Sequence, residues 1–205
     1  RIKPPFPADK GLWQQPTLIN NVETLSNLPI IFNLGIDEYL KFGTKSSPGT
    51  KLICLSGDVK YPGTYEVEMG CTIREILEDI GGGTMDDIPL KAVLLGGAAG
   101  TFANTNQLDI PIGYSELREH GLTLGSGAII VLSEASSVSK TLTSIFEFFK
   151  HESCGKCVPC RVGTHHIYEQ WKEVESEKPE IKIDVLNQLK IMAQGIAVSS
   201  LCPLG

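Results

Sequence analysis

The chain has 205 residues, enough for one to three compact units, and its 41% hydrophobic and 20% charged residues are the balance of an ordinary soluble protein. A net charge of −6, with no basic stripe or tail, argues against a nucleic-acid partner. No apolar run reaches the roughly 20 residues that span a bilayer, so no direct membrane insertion is expected, and no signal peptide is visible.

The chain opens at Arg1 in a proline-rich stretch, RIKPPFPADKGLW, which reads as a piece of a longer polypeptide. Next, NNVETLSNLPIIFNLG places Val22, Leu25, Leu28 and Phe32 near helical spacing. Asn20 is the expected N-cap and Glu23, three residues later, suggests a capping box. Pro29 is expected to bend or interrupt this helix. GTKSSPGT (43–50) has linker composition and marks a boundary.

Beyond it, KLICLSGDV and GTYEVEMG read as strands joined by the turn KYPG. TIREILEDIGGG reads as a short helix with Ile73, Ile76, Leu77 and Ile80 on one face and glycines at its end. KAVLLGG and AIIVLSE are further short apolar runs. This order predicts an α+β unit over about 50–135, its helix packed on a mixed sheet. GGAAG (96–100) lacks the Lys-Ser/Thr of a phosphate-binding loop, and GSG (125–127) leads into a strand, so both read as turns.

From Ser136 the pattern is helical. Val138, Leu142, Ile145, Phe146 and Phe149 form one stripe, and Ile167, Trp171 and Val174 another. A third helix, PEIKIDVLNQLKIMAQG, is expected to start with Pro179 near its first turn and to end at Gly195, with Val185, Leu189 and Met192 inward. Three units follow: 1–45, 50–135 and 136–205.

Six cysteines are present. Cys54 and Cys71 read as small buried hydrophobes. Cys154, Cys157 and Cys160 stand at i, i+3 and i+6 in HESCGKCVPC and offer three soft ligands from one loop between the first two helices. Cys202 can supply a fourth, because an antiparallel third helix returns the chain to that end. It precedes Pro203, like the remote Cys-Pro ligand of ferredoxin-type clusters. Gly155 lets the loop turn tightly, and Lys156 and Arg161 place positive charge beside four thiolates. This spacing favours a [4Fe–4S] cluster. Two alternatives stay open: unligated thiols, or a zinc site, with His151, His165 or His166 as a possible ligand. Zinc would make the chain a stabilised interaction module without redox activity. Otherwise the histidines read as helix-surface residues.

HESCGKCVPCRVGT with SLCPLG resembles the cluster-binding region of the NADH-oxidising flavoprotein subunit of respiratory complex I. The same subunit type occurs in NAD(P)-linked hydrogenases, formate dehydrogenases and electron-bifurcating enzymes. KPPFPADKGLW and INNVETLSNLP resemble the end of that family's α/β flavin-binding domain. LSGDVKYPGTYEVEMGCTIREIL resembles its ubiquitin-like, soluble-ligand-binding β-grasp (SLBB) domain. The resemblance implies an α+β chain: the tail of a flavin domain over 1–45, an SLBB domain over 50–135 and a helical [4Fe–4S] domain over 136–205. It implies cluster ligation by Cys154, Cys157, Cys160 and Cys202, and FMN contacts from Asn20, Asn21, Thr24 and Leu204. The residue after the fourth cysteine is usually small in the family; here it is Pro203, which has no N–H for the flavin.

By the same resemblance, FMN reduced by NAD(P)H passes electrons to the cluster, and the cluster passes them to partner subunits, a thioredoxin-like [2Fe–2S] subunit and a further iron–sulfur subunit. The location implied is cytoplasmic, or the cytoplasmic side of a membrane complex. The family's glycine-rich FMN and NADH site lies upstream of Arg1, so this segment alone is expected to hold the cluster without oxidising NADH. Ligand binding by the β-grasp unit is a further possibility, although no convergent charged pocket is evident in the sequence.

Overall fold

A computed structural model describes residues 4–176 and 183–205. The N-terminal segment carries α1 (Val22–Leu34) and a single turn, α2 (Ile36–Tyr39). β1 (Thr50–Gly57) and β2 (Gly63–Glu68) follow. Then come α3 (Ile73–Glu75, running on as a π-helical turn, Ile76–Ile80), β3 (Leu90–Leu95), β4 (Thr101–Ala103), α4 (Tyr114–Glu119) and β5 (Ala128–Ser133). The chain closes with α5 (Val138–Glu152), α6 (Val158–Ser176) and α7 (Ile183–Ser199).

The five strands form one mixed sheet in the order β2-β1-β5-β3-β4. β1 and β5 run parallel and every other pairing is antiparallel. β1 alternates as a half-covered strand does: Ile53 and Leu55 point into the core, Leu52 and Cys54 out of it. α3 lays Ile73, Ile76 and Leu77 against that core, with Ile80 at its margin, as the spacing predicts. Leu108, Ile112, Leu117 and Leu124, from the connection between β4 and β5, complete it. A capping box fixes the start of α3: Glu75 N–H donates to Thr72 Oγ1 at 3.1 Å, and Thr72 N–H donates to Glu75 Oε2 at 2.6 Å.

Several expectations need correction. The cap of α1 is Asn21, whose Oδ1 accepts from Glu23 N–H at 2.8 Å; Asn20 lies one residue earlier. Glu23 closes no capping box because its carboxylate is used elsewhere. It pairs with the buried Lys51 and accepts from Leu52 N–H at 3.0 Å, tying α1 to β1. Pro29 does not break α1, which continues to Leu34. The bond it removes is on an exposed helix, where water can take the freed carbonyl. Cys54 is exposed, because the strand's alternation turns it outward. α7 runs past Gly195 to Ser199, and a Cβ at Gly195 would meet nothing there. The expected start of this helix at Pro179 lies outside the described residues. β4 and α4 were not anticipated.

A polar knot joins sheet to helices. Asp58, just after β1, accepts from Ser133 N–H (2.8 Å), Ser133 Oγ (2.7 Å) and Ser136 Oγ (2.6 Å). Lys91 Nζ donates to the Ser136 carbonyl at 2.6 Å. These bonds fix the chain between β5 and α5, and so the direction in which the helical unit leaves the sheet. In that unit Ile167, Trp171, Leu189 and Ile196 form a small core, with Phe146 edge-on to Trp171 at 5.6 Å. Trp171 Nε1–H donates to Thr143 Oγ1 at 2.9 Å, which satisfies the buried indole.

Candidate metal centre

α5 ends at Glu152, and a short loop connects it to α6. The turn within it is possible because Gly155 takes φ +76°, where a side chain would be strained. Arg161, from the first turns of α6, reaches back and donates to the Gly155 carbonyl at 2.9 Å. Arg161 therefore also closes the loop, besides bringing charge. Cys154 and Cys157 lie in this loop; Cys160 lies inside α6 and is buried. The expected loop placement thus holds for two of the three, because α6 starts at Val158.

α7 returns the chain to the same end. It approaches α6 closely at Gly163, where a Cβ would come within 2.4 Å of Ile196 Cδ1. The segment after α7 then crosses the cysteine loop. The backbone N–H groups of Leu201 and Cys160 hold the Cys157 thiol below its ordinary pKa, against a desolvation that raises it. An N–H donor beside sulfur at the start of a helix favours thiolate. Ser153 Oγ lies 3.3 Å from Cys160 Sγ. Cys202 is exposed in the turn that follows Leu201.

The donor set is four soft thiols at one end of the bundle, with N–H groups and hydroxyls around them, which suits an iron–sulfur cluster. Among the described residues no three His, Cys, Asp or Glu side chains converge as ligands of one metal ion. His151, His165 and His166 lie on helix surfaces, and His165 Nδ1 faces Glu169 at 3.9 Å.

The other residues singled out in the sequence do not gather at one place. Asn20, Asn21 and Thr24 stand exposed at the start of α1. Thr24 borders a recess of about 400 Å³ between α1 and the sheet unit, with Asn27, Tyr39, Lys51 and Tyr114. Leu204 borders a different space, an apolar cavity of about 170 Å³ within the helical unit, with Phe146, Phe149, Ile167 and Ile196. No described residue of the N-terminal segment lines that cavity. No described helix is long and apolar enough to cross a membrane.

Comparison with known proteins places these features. Residues 140–205 match the NADH-ubiquinone oxidoreductase-F iron-sulfur binding region, and residues 51–131 match the SLBB domain. The F 2 subunit of the NADH-quinone oxidoreductase of Rhizobium meliloti is 40% identical over 205 residues, 100% of this chain and 48% of the relative. The HndC subunit of the NADP-reducing hydrogenase of Solidesulfovibrio fructosivorans is 39% identical, over 99% of this chain and 41% of its own length. The crystal structure of an air-oxidised NAD+-reducing [NiFe]-hydrogenase superimposes with a TM-score of 0.82 at 29% identity, over 100% of this chain and 34% of that one. The chain spans about half the length of the curated relatives it matches. It therefore carries an SLBB domain followed by a NADH-ubiquinone oxidoreductase-F iron–sulfur binding region, and is a homologue of the C-terminal part of the F-type subunits of NADH-quinone oxidoreductases.

Proposed function

We propose that this chain is the electron-transfer segment of an NAD(P)H:acceptor oxidoreductase, with Cys154, Cys157, Cys160 and Cys202 holding a [4Fe–4S] cluster. The observation that carries this is the seating of the C-terminal segment against the cysteine end of α6, where a Cβ at Gly205 would lie 3.1 Å from Cys160 Cβ, inside the region that matches the iron–sulfur family. Four thiolates of one cluster need not converge on a point; each ligates its own iron.

The bound cluster supplies one-electron redox chemistry, the step between a two-electron nicotinamide–flavin donor and one-electron acceptors. The chain's own residues do the rest. Gly155 and Arg161 hold the loop's shape, and the N–H groups of Cys160 and Leu201 offset negative charge on sulfur. We assign flavin contact to Asn20, Asn21 and Thr24: the N-terminus of α1 offers unsatisfied N–H groups to a phosphate, with amide and hydroxyl donors beside them. Leu204 is kept as a flavin contact only on the family pattern, since its cavity lies within the helical unit. The domain boundaries near residues 50 and 136 and the partner iron–sulfur subunits belong to the same proposal.

The test is reduction of the anaerobic full-length protein by NADH and by NADPH, followed by EPR. A cluster signal that grows with nicotinamide, and is lost when FMN is stripped, supports the pathway. A cluster reducible by dithionite but by neither nucleotide, with FMN bound, overturns it.

A further inference from the structure

We propose that Ser153 and Ser200 are positioning residues whose hydroxyls donate to the thiolates of Cys160 and Cys157 and raise the electron affinity of the cluster held there. The inference rests on the assignment of those cysteines as cluster ligands.

Ser153 caps the C-terminus of α5: its N–H donates to the Phe149 carbonyl at 3.2 Å, which fixes its backbone. Its hydroxyl lies 3.3 Å from Cys160 Sγ. Between a free thiol and a hydroxyl either group can donate. A ligating thiolate has no proton, so in the loaded protein the hydroxyl must be the donor. Cys160 is buried, where such a bond is little weakened by water.

Ser200 reaches the site on the segment that follows α7. Its backbone is held by its N–H bond to the Ile196 carbonyl at 3.0 Å. Its Oγ is buried and has no hydrogen-bond partner among the described residues. A buried hydroxyl left unpaired is costly and calls for an acceptor. The cysteine end of the bundle is beside it: a Cβ at Gly205 would lie 2.1 Å from Ser200 Oγ and 3.1 Å from Cys160 Cβ, and, beside the N–H groups of Leu201 and Cys160, Ser200 also helps to hold the neighbouring Cys157 thiol below its ordinary pKa. A full negative charge on the Cys157 sulfur would complete the pair.

Hydrogen bonds to ligand sulfur stabilise the more negative, reduced cluster more than the oxidised one. Losing a hydroxyl must therefore lower the potential. The experiment uses full-length protein with Ser153→Ala, Ser200→Ala and the conservative Ser→Thr changes, titrated anaerobically with EPR detection. Iron and sulfide content should match the parent. At a fixed potential the reduced-to-oxidised ratio should fall several-fold, to at most about tenfold or ~59 mV for one electron, and threonine should restore it. ENDOR before and after transfer to D2O gives a second readout that does not require full occupancy. One exchangeable-proton coupling should vanish with each hydroxyl. An intact cluster with unchanged ratios and unchanged couplings overturns this inference alone. Parent protein without iron and sulfide overturns it together with the ligand assignment.

Discussion

The sheet unit and the helical unit sit side by side in one chain and are held together by different means. The sheet unit has a continuous core in which Ile53, Ile76 and Leu117 are each 0% exposed. Among its described residues the helical unit has a smaller core, Ile167, Trp171, Leu189 and Ile196 with the partly buried Leu142, Phe146, Val185 and Met192 packed on them, and its cysteine end leaves Val198 and Leu201 at 87% and 73% exposure. A core that small supplies little net stability against the entropy of ordering three helices. If Cys154, Cys157, Cys160 and Cys202 ligate the cluster as proposed, ligation there also staples the bundle. On the proposed ligation, the chemistry and the stability of the helical unit depend on the same four residues, whereas the sheet unit has a larger apolar core and needs no metal.

The largest effect should come from removing the metal centre. Chelation, or Cys160→Ser, is expected to abolish slow hydrogen exchange across α5, α6 and α7 while leaving β1, β3 and β5 protected. Uniform loss in both units would contradict the separate stability of the sheet unit. Next is the sheet core. Ile76→Ala should cost roughly 2–5 kcal/mol of that unit's stability, measured by denaturant unfolding, and leave iron and sulfide content unchanged.

A smaller effect is expected at the knot between the units. The hydroxyls of Ser136 and then Ser133, with the Ser133 N–H, hold the Asp58 carboxyl below its usual 3.8. A carboxyl depressed in the folded state stabilises above its unfolded pKa, and the stabilisation is lost as pH falls through the folded value. Acid should therefore weaken the knot below about pH 4. Asp58→Asn should cost about 1–3 kcal/mol at neutral pH and flatten this part of the pH dependence of the melting temperature. The smallest effect concerns the two remaining thiols. Burial, then the charge of Glu75, raises Cys71 to about 11, whereas Cys54 is exposed. Near pH 8.5, about the ordinary thiol value, iodoacetamide should label Cys54 in the native protein and Cys71 only on unfolding. Equal rates would contradict the packing of Cys71 against the core.

Much of this was legible in the residues. The short apolar runs KLICLSG, KAVLLGG and AIIVLSE mark three strands, and one face of TIREILEDI marks the helix upon them. The cysteine loop was legible because the C-x-x-C-x-x-C spacing is local and specific. What was missed depends on contacts distant in sequence. Thr101–Ala103 is too short to show a period, and it is a strand only because β3 pairs with it. Glu23 looked like half of a capping box, but Lys51 on the first strand claims its carboxylate. Cys54 looked like core, although the alternation that turns Ile53 inward turns it out. Ser153 and Ser200 carried no signal of their own, since a hydroxyl beside a cysteine becomes meaningful only when the fold brings it to the sulfur.

Four thiolates, Cys202 included, are proposed to hold one [4Fe–4S] cluster. The most direct test of this ligation is iron and acid-labile sulfide analysis with EPR of dithionite-reduced, anaerobically purified full-length protein, beside Cys202→Ser. About four irons and four sulfides are expected from this site, with the signal altered or lost in the variant. Zinc without sulfide, persisting when iron is supplied in excess, would contradict it and leave a zinc-stapled interaction module.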